Sequence, residues 1–230
     1  MVAQPSGEPS EPVLVIFDHD GVLTDTLALH QAAWLELGRR AGLPITADFV
    51  RETFGMPNPA IFLRLLGESA ERHDLVGYSE LKELCYRETA RDRITLMAGV
   101  REVLDELAGL GCALAIGSSA VRANLDLTVE VCGLAGRFAA IVALEDVQRG
   151  KPDPQVFLKA ADKAGVDSNR SAVFEDATFG IQAARAAGMY TIGVTTTRSA
   201  RELQAAGADE VVASLSGFNV ARLVRRLRES

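Results

Sequence analysis

From residue 96 onward, short apolar runs alternate with stretches whose apolar residues recur at helical spacing. Gly99 to Leu110 (GVREVLDELAGL) sets Val100, Val103, Leu104 and Leu107 on one helix face, and Gly111 stops it. The run CALAIG follows, then a helix near Val121 to Val131, a strand near Phe138 to Leu144, and a helix opened by Pro154 and closed by Gly165. SAVFE, the alanine-rich TFGIQAARAAG and YTIGV continue the alternation, which ends in a helix near Val220 to Leu227. With VLVIF at residues 13 to 17, the predicted strands number about six. Unbroken apolar strands separated by helices imply βαβ units. The expected fold is therefore α/β, a doubly wound parallel sheet covered by helices on both faces.

Residues 25 to 95 depart from that pattern. Thr26 to Ala41 is helical and ends at Gly42 and Pro44, and amphipathic pieces lie near Pro59 to Leu66 and Ser79 to Arg91, with no convincing strand among them. A helical block between the first and second strands reads as an insertion, because the sheet needs both flanks to close one core. The expected organisation is a catalytic core at 12–24 and 96–230, a helical cap at 25–95, and a loose tail at 1–11 with the polar sequence MVAQPSGEPSE.

Composition narrows the function. A formal net charge of −7 and a hydrophobic fraction of 48% describe a globular chain without the basic footprint of a nucleic-acid or anionic-membrane binder. No apolar run reaches the roughly 18 residues of a membrane span, and the N-terminus lacks the apolar stretch of a signal peptide. Cys85, Cys112 and Cys132 show no CxxC or metal-ligand spacing, which suits a reducing, cytoplasmic setting. The expected partner is a small phosphorylated metabolite; the sequence is silent on oligomeric state.

In open parallel sheets, ligands sit beyond the carboxyl ends of the strands, so the residues just after each apolar run carry the chemistry. These are Asp18 and Asp20, Ser118 and Ser119, Lys151, and Glu175 with Asp176. The set suits phosphoryl transfer through a carboxylate. A phosphate ester repels an attacking carboxylate, so a cation must serve both, and Mg²⁺ favours oxygen ligands such as Asp18 and Asp176. Lys151, Ser118 and the backbone N–H groups of the helix after Ser118 can hold phosphate oxygens. Asp18 would be the nucleophile and Asp20 the acid and base. Asp18, Asp20, Glu175 and Asp176 carry −4 against +3 from Mg²⁺ and Lys151, an excess that favours a proton on Asp20.

The sequence resembles the haloacid dehalogenase superfamily, and within it the β-phosphoglucomutase-like subfamily with a helical cap. DHDGVLTDT is similar to its first motif, IGSSA to its second, GKPDP to its third and FEDATFGIQAARAAGM to its fourth. The resemblance implies Asp18 as nucleophile and metal ligand, and Asp20 as acid/base and ligand through its carbonyl. It further implies Ser118 and Lys151 on the phosphate, Asp176 on the metal and Glu175 supporting the metal waters. Dehalogenation is not expected, because Asp20 and Asp176 are both present.

Four cap residues are candidates for substrate selection: Thr26, His30, Asn58 and Lys82. Thr26, His30 and Trp34 share a helix face at i, i+4, i+8, which a core stripe explains equally well; Lys82 resembles a phosphate- or hinge-contacting lysine of the family, which a solvated face explains about as well. Asn58 stands where β-phosphoglucomutases offer an arginine to a distal phosphate; an amide cannot clamp one bidentately, although Arg51 or Arg64 could compensate. His19 is expected to pack against the cap or face solvent. The sequence thus points to a Mg²⁺-dependent phosphatase hydrolysing a small phosphomonoester, a sugar phosphate or related metabolite, through an aspartyl phosphate. The alternatives are a phosphohexomutase, a receiver module (shorter and without the insertion), and a non-catalytic binding protein on the same scaffold.

Overall fold

The apolar run at 13 to 17 forms β1 (Leu14–Phe17), every residue of it buried, at the centre of a six-stranded parallel sheet. The computed structural model describes residues 11–53 and 56–230; apart from Glu11 the expected tail lies outside these residues, as do Phe54 and Gly55 of the cap loop. β2 (Ala113–Gly117), β3 (Ala140–Val142), β4 (Ser171–Glu175), β5 (Tyr190–Val194) and β6 (Glu210–Val212) complete the sheet in the order β3-β2-β1-β4-β5-β6. The register pairs Phe17 with Ile116 on one side and with Phe174 on the other, so the ends of β1, β2 and β4 lie level. The chain runs outward from β1 through β2 to β3 and then crosses to β4, β5 and β6 on the other side, which creates a switch point at the carboxyl end of β1, where such folds bind ligands.

The helices of the sheet unit include α5 (Val100–Gly109), α7 (Gln155–Ala164), α8 (Thr178–Ala186), α9 (Ala200–Ala206) and α10 (Val220–Arg228). Leu14, Ile16, Val142, Phe157, Val173 and Ala183 form one buried cluster between strands and helices, and the Phe17 and Phe174 rings stack 5.1 Å apart. Burying such side chains contributes roughly 1.5–3 kcal/mol each, the main favourable term in the fold.

The chain divides into two compact units: residues up to Thr24 with Leu96–Arg122 and Leu134–Ser230, and Asp25–Thr95 with Ala123–Gly133. The second unit contains α1 (Leu27–Ala41), α2 (Ala47–Thr53), α3 (Asn58–Leu66), α4 (Leu75–Ala90) and most of α6 (Arg122–Val131). The sequence reading kept α6 with the sheet. Its Leu127 instead packs with Leu29, Ala33, Cys85, Tyr86, Ala90 and Ile94, an apolar surface that only tertiary structure assembles. Two helices had no counterpart in the hydrophobic pattern, although each carries a capping signal. Ser199 and Glu202 form a reciprocal capping box at α9, and Thr46 Oγ1 accepts from Phe49 N at α2.

Candidate active site

The site is built at the level ends of β1 and β4. Asp18 continues β1, and its N–H donates to Phe174 O at 3.0 Å, extending the ladder one residue beyond the strand. Glu175 ends β4 and Asp176 follows it. Asp18, Glu175 and Asp176 are all buried, and each offers a carboxylate oxygen within 4.8 Å of the others. Lys151 Nζ donates to Asp18 Oδ1 at 2.8 Å and to Glu175 Oε2 at 2.7 Å, with its own side chain 9% exposed. It also lies 4.8 Å from the Phe157 ring centroid, so α7 supplies the floor under the ammonium group.

Three acids and one base out of water hold an excess of negative charge. Burial, reinforced by the Asp18 charge, pushes both Glu175 and Asp176 well above the usual carboxylate range. Burial alone would lower Lys151, but Asp18 and Glu175 outweigh it and hold the ammonium well above the ordinary lysine value. Hard oxygen donors that repel one another in this way fit a small divalent cation. Two glycines make room for them: a Cβ on Gly21, whose φ is +77°, would overlap the Asp176 carboxylate, and one on Gly180 would overlap Glu175. The acidic cluster therefore depends on glycine at both places.

Ser118 is buried one residue beyond β2, where its N–H donates to Val142 O at 3.0 Å and its Oγ accepts from Ala120 N at 3.1 Å. Ser119 is exposed. The N–H groups of the helix after Ser118 are expected as phosphate donors, and the first of them belongs to Arg122. Both oxygens of Glu145 accept from it instead, at 2.9 and 3.1 Å. Asp20 is half-buried, two residues after Asp18.

Of the two expectations for His19, exposure to solvent is excluded, because the side chain is buried. Its Nδ1 lies 3.1 Å from Asp20 Oδ1 and its Nε2 3.4 Å from Thr24 Oγ1. Burial would lower its pKa, yet Asp20 and Asp18 together bring it above the ordinary value. Gly21 N donates to Thr24 O, and Thr24 N to His19 O, so the loop after β1 turns back on itself and carries His19 inward.

The helical unit has its own polar cluster. Lys82, 3% exposed, donates to His30 Nδ1 and to Glu83 Oε1, both at 2.9 Å. Glu83 also accepts from Asn58 Nδ2 at 2.8 Å and from Asn124 Nδ2 at 2.7 Å. His30, Asn58 and Lys82 are thus brought together, and His30 stacks on Tyr86 with centroids 4.2 Å apart. Thr26 is buried at the N-cap of α1 without a side-chain cap bond. Glu83 is the member the sequence reading missed; an acid directly after Lys82 was the available signal. Arg51 pairs with Asp48, and Arg64 with Glu52 at 3.2 Å, all four side chains more than half exposed.

The sequence matches the haloacid dehalogenase-like hydrolase family over residues 15–194. Among curated relatives, the fructose-1-phosphate phosphatase of Escherichia coli (strain K12) is 32% identical over 180 residues, covering 78% of this chain and 95% of its own. A beta-phosphoglucomutase of Bacillus subtilis (strain 168) is 31% identical over 194 residues, covering 78% and 82%. Among solved structures, a haloacid dehalogenase hydrolase of family IA, variant 3, from Entamoeba histolytica superposes with a TM-score of 0.80 at 27% identity, covering 96% and 100%. The chain belongs to the haloacid dehalogenase-like hydrolase family, with phosphatases and phosphomutases among its relatives.

Proposed function

We propose that this protein hydrolyses a small phosphomonoester, a sugar phosphate or a related metabolite, through an aspartyl phosphate on Asp18, in the cytoplasm. The observation that carries the reading is Lys151 Nζ held between Asp18 and Glu175 beside the Asp176 carboxylate. A cationic donor fixed on a buried carboxylate is what an incoming phosphate dianion requires. The fructose-1-phosphate phosphatase relative supports the substrate class.

Asp18 and Asp176, with Glu175 beside them, would hold Mg²⁺, which when bound supplies the positive charge that lets a carboxylate meet a phosphate. The Asp18 carboxylate attacks phosphorus, the bond from phosphorus to the ester oxygen breaks, and Asp20 gives its proton to the leaving alkoxide. Asp20 then takes a proton from water as the water oxygen bonds to phosphorus and the bond to Asp18 breaks. Lys151 Nζ and the Ser118 hydroxyl donate to the remaining phosphate oxygens, with Ser119 at the turn beside them, while His19 holds the Asp20 carboxylate. We assign substrate selection to the helical unit, through Thr26, His30, Asn58 and Lys82.

The beta-phosphoglucomutase relative supports a second reading, phosphoryl transfer back to a sugar. Against it, the Asn58 amide and the Lys82 charge are both engaged by Glu83, which leaves these two groups committed before a second phosphate arrives. A panel of phosphorylated metabolites with Mg²⁺, scored for released phosphate and for isomerised product, separates the two. Phosphate release by the wild type and none by Asp18→Asn is expected; isomer without phosphate release would establish the mutase, and no turnover would favour a binding protein.

A further inference from the structure

Ser118 and Lys151 stand on different loops. Lys151 sits in the segment between β3 and α7, whose one regular element among the described residues is a 3-10 turn at Leu144–Asp146. Two loops that grip one phosphate must keep their spacing closely, since a displacement near 1 Å can cost about a hundredfold in rate.

Asp146 ties them together. Its Oδ2 accepts from Arg122 Nη2 at 2.6 Å and from Ala143 N at 2.9 Å, and its Oδ1 accepts from Lys163 Nζ at 3.2 Å. The same Arg122 Nη2 donates to Ile141 O at 2.7 Å. Arg122 directly follows the Ser118 turn, whose Ala120 O accepts from Leu144 N at 2.9 Å. On the other side, Lys159 Nζ donates to Asp146 O at 2.5 Å. Gln155 Oε1 accepts from Gln148 N at 2.7 Å and Arg149 N at 3.0 Å, just before Lys151. The bonds run from the Ser118 turn through Arg122 and Asp146 to α7, and from α7 to the Lys151 loop.

The geometry points to Asp146, acting through Arg122, as a positioning residue that holds the Ser118 turn and the Lys151 loop in register on one phosphate group. The inference rests on the phosphatase reading above. Partly exposed pairs contribute little to stability on their own, with side chains here 37% and 25% exposed, so the effect is sought in phosphate affinity.

The test is calorimetric binding of inorganic phosphate to the full chain with Mg²⁺, alongside KM and kcat on the best ester of the panel and thermal melts. Asp146→Asn and Arg122→Gln should each weaken phosphate binding about tenfold, and the double variant should be no weaker than either, since both break one linkage. Lys163→Met, which removes only the outer contact, should bind phosphate as the wild type does. Arg122→Lys, which keeps the charge, replaces any variant that fails to fold and should show the same loss. Unchanged phosphate affinity in a folded variant, or an additive double variant, overturns the inference. A wild type that neither binds phosphate nor hydrolyses any ester overturns the phosphatase reading instead.

Discussion

Lys151 Nζ lies 2.8 Å from Asp18 Oδ1, joining residues 133 positions apart in the chain. In the proposed mechanism this bond orients Asp18, and the same ammonium donates to a phosphate oxygen. Lys151→Met should lower kcat/KM by about 10²–10³, the usual cost of losing one preorganised donor. Lys151→Arg should not restore it, because a planar fork cannot replace a point donor seated on Phe157 between two carboxylates. Steady-state kinetics decide; activity within tenfold of wild type would contradict the assignment.

Gly21→Ala tests the room around Asp176. The new methyl must take a positive φ and overlap the carboxylate, so either the loop after β1 or Asp176 has to move. We expect a stability loss of about 1–3 kcal/mol and a loss of Mg²⁺ affinity measurable by calorimetry. Unaltered metal affinity would show that the loop yields and Asp176 keeps its place.

The raised acids make a pH prediction. Glu175 and Asp176 hold protons in the folded, metal-free chain at pH values where the unfolded chain has lost them. The folded state then binds more protons, so stability falls as pH rises from the ordinary carboxylate range towards the raised values. His19 adds in the same direction from about pH 6.5 upward, as its raised pKa is passed. Melting temperature without metal should decline from pH 5 to pH 8, and Mg²⁺ should raise it more at the upper end, because ligands must shed protons to bind. A metal shift independent of pH would count against this cluster.

Glu83 tests the helical unit. Burial alone would raise its pKa, but Lys82, Asn58 and Asn124 bring it below the usual value. Its stabilisation is therefore present at neutral pH and lost as pH falls through that lowered pKa. Glu83→Gln removes the acid that balances the buried Lys82 charge, leaving its His30 contact, and should cost about 3 kcal/mol, or roughly 6–12 °C in Tm for a chain of this size. A drop under about 2 °C would mean that Lys82 finds another acceptor.

The sequence carried the sheet and the residues placed along its edge because both depend on local signals. Buried strands leave unbroken apolar runs, and Asp18, Ser118, Lys151, Glu175 and Asp176 each follow or adjoin one. What escaped depended on distant partners. The half-buried β6 lacks an apolar run, α6 joins the helical unit through Leu127, and Glu145 takes the helix donor expected to serve phosphate. The sequence left His19 open between packing and solvent, because nothing in a short polar loop reveals that it folds inward.

In the proposed mechanism Asp18 carries the phosphoryl group. Substrate with radiolabelled phosphate, mixed with enzyme and Mg²⁺ and quenched in acid within the first turnover, should leave label on the protein. Peptide mapping should place a phosphoryl group on Asp18, and Asp18→Asn should carry none. Phosphate released without any labelled protein, or label that persists in Asp18→Asn, would contradict the account.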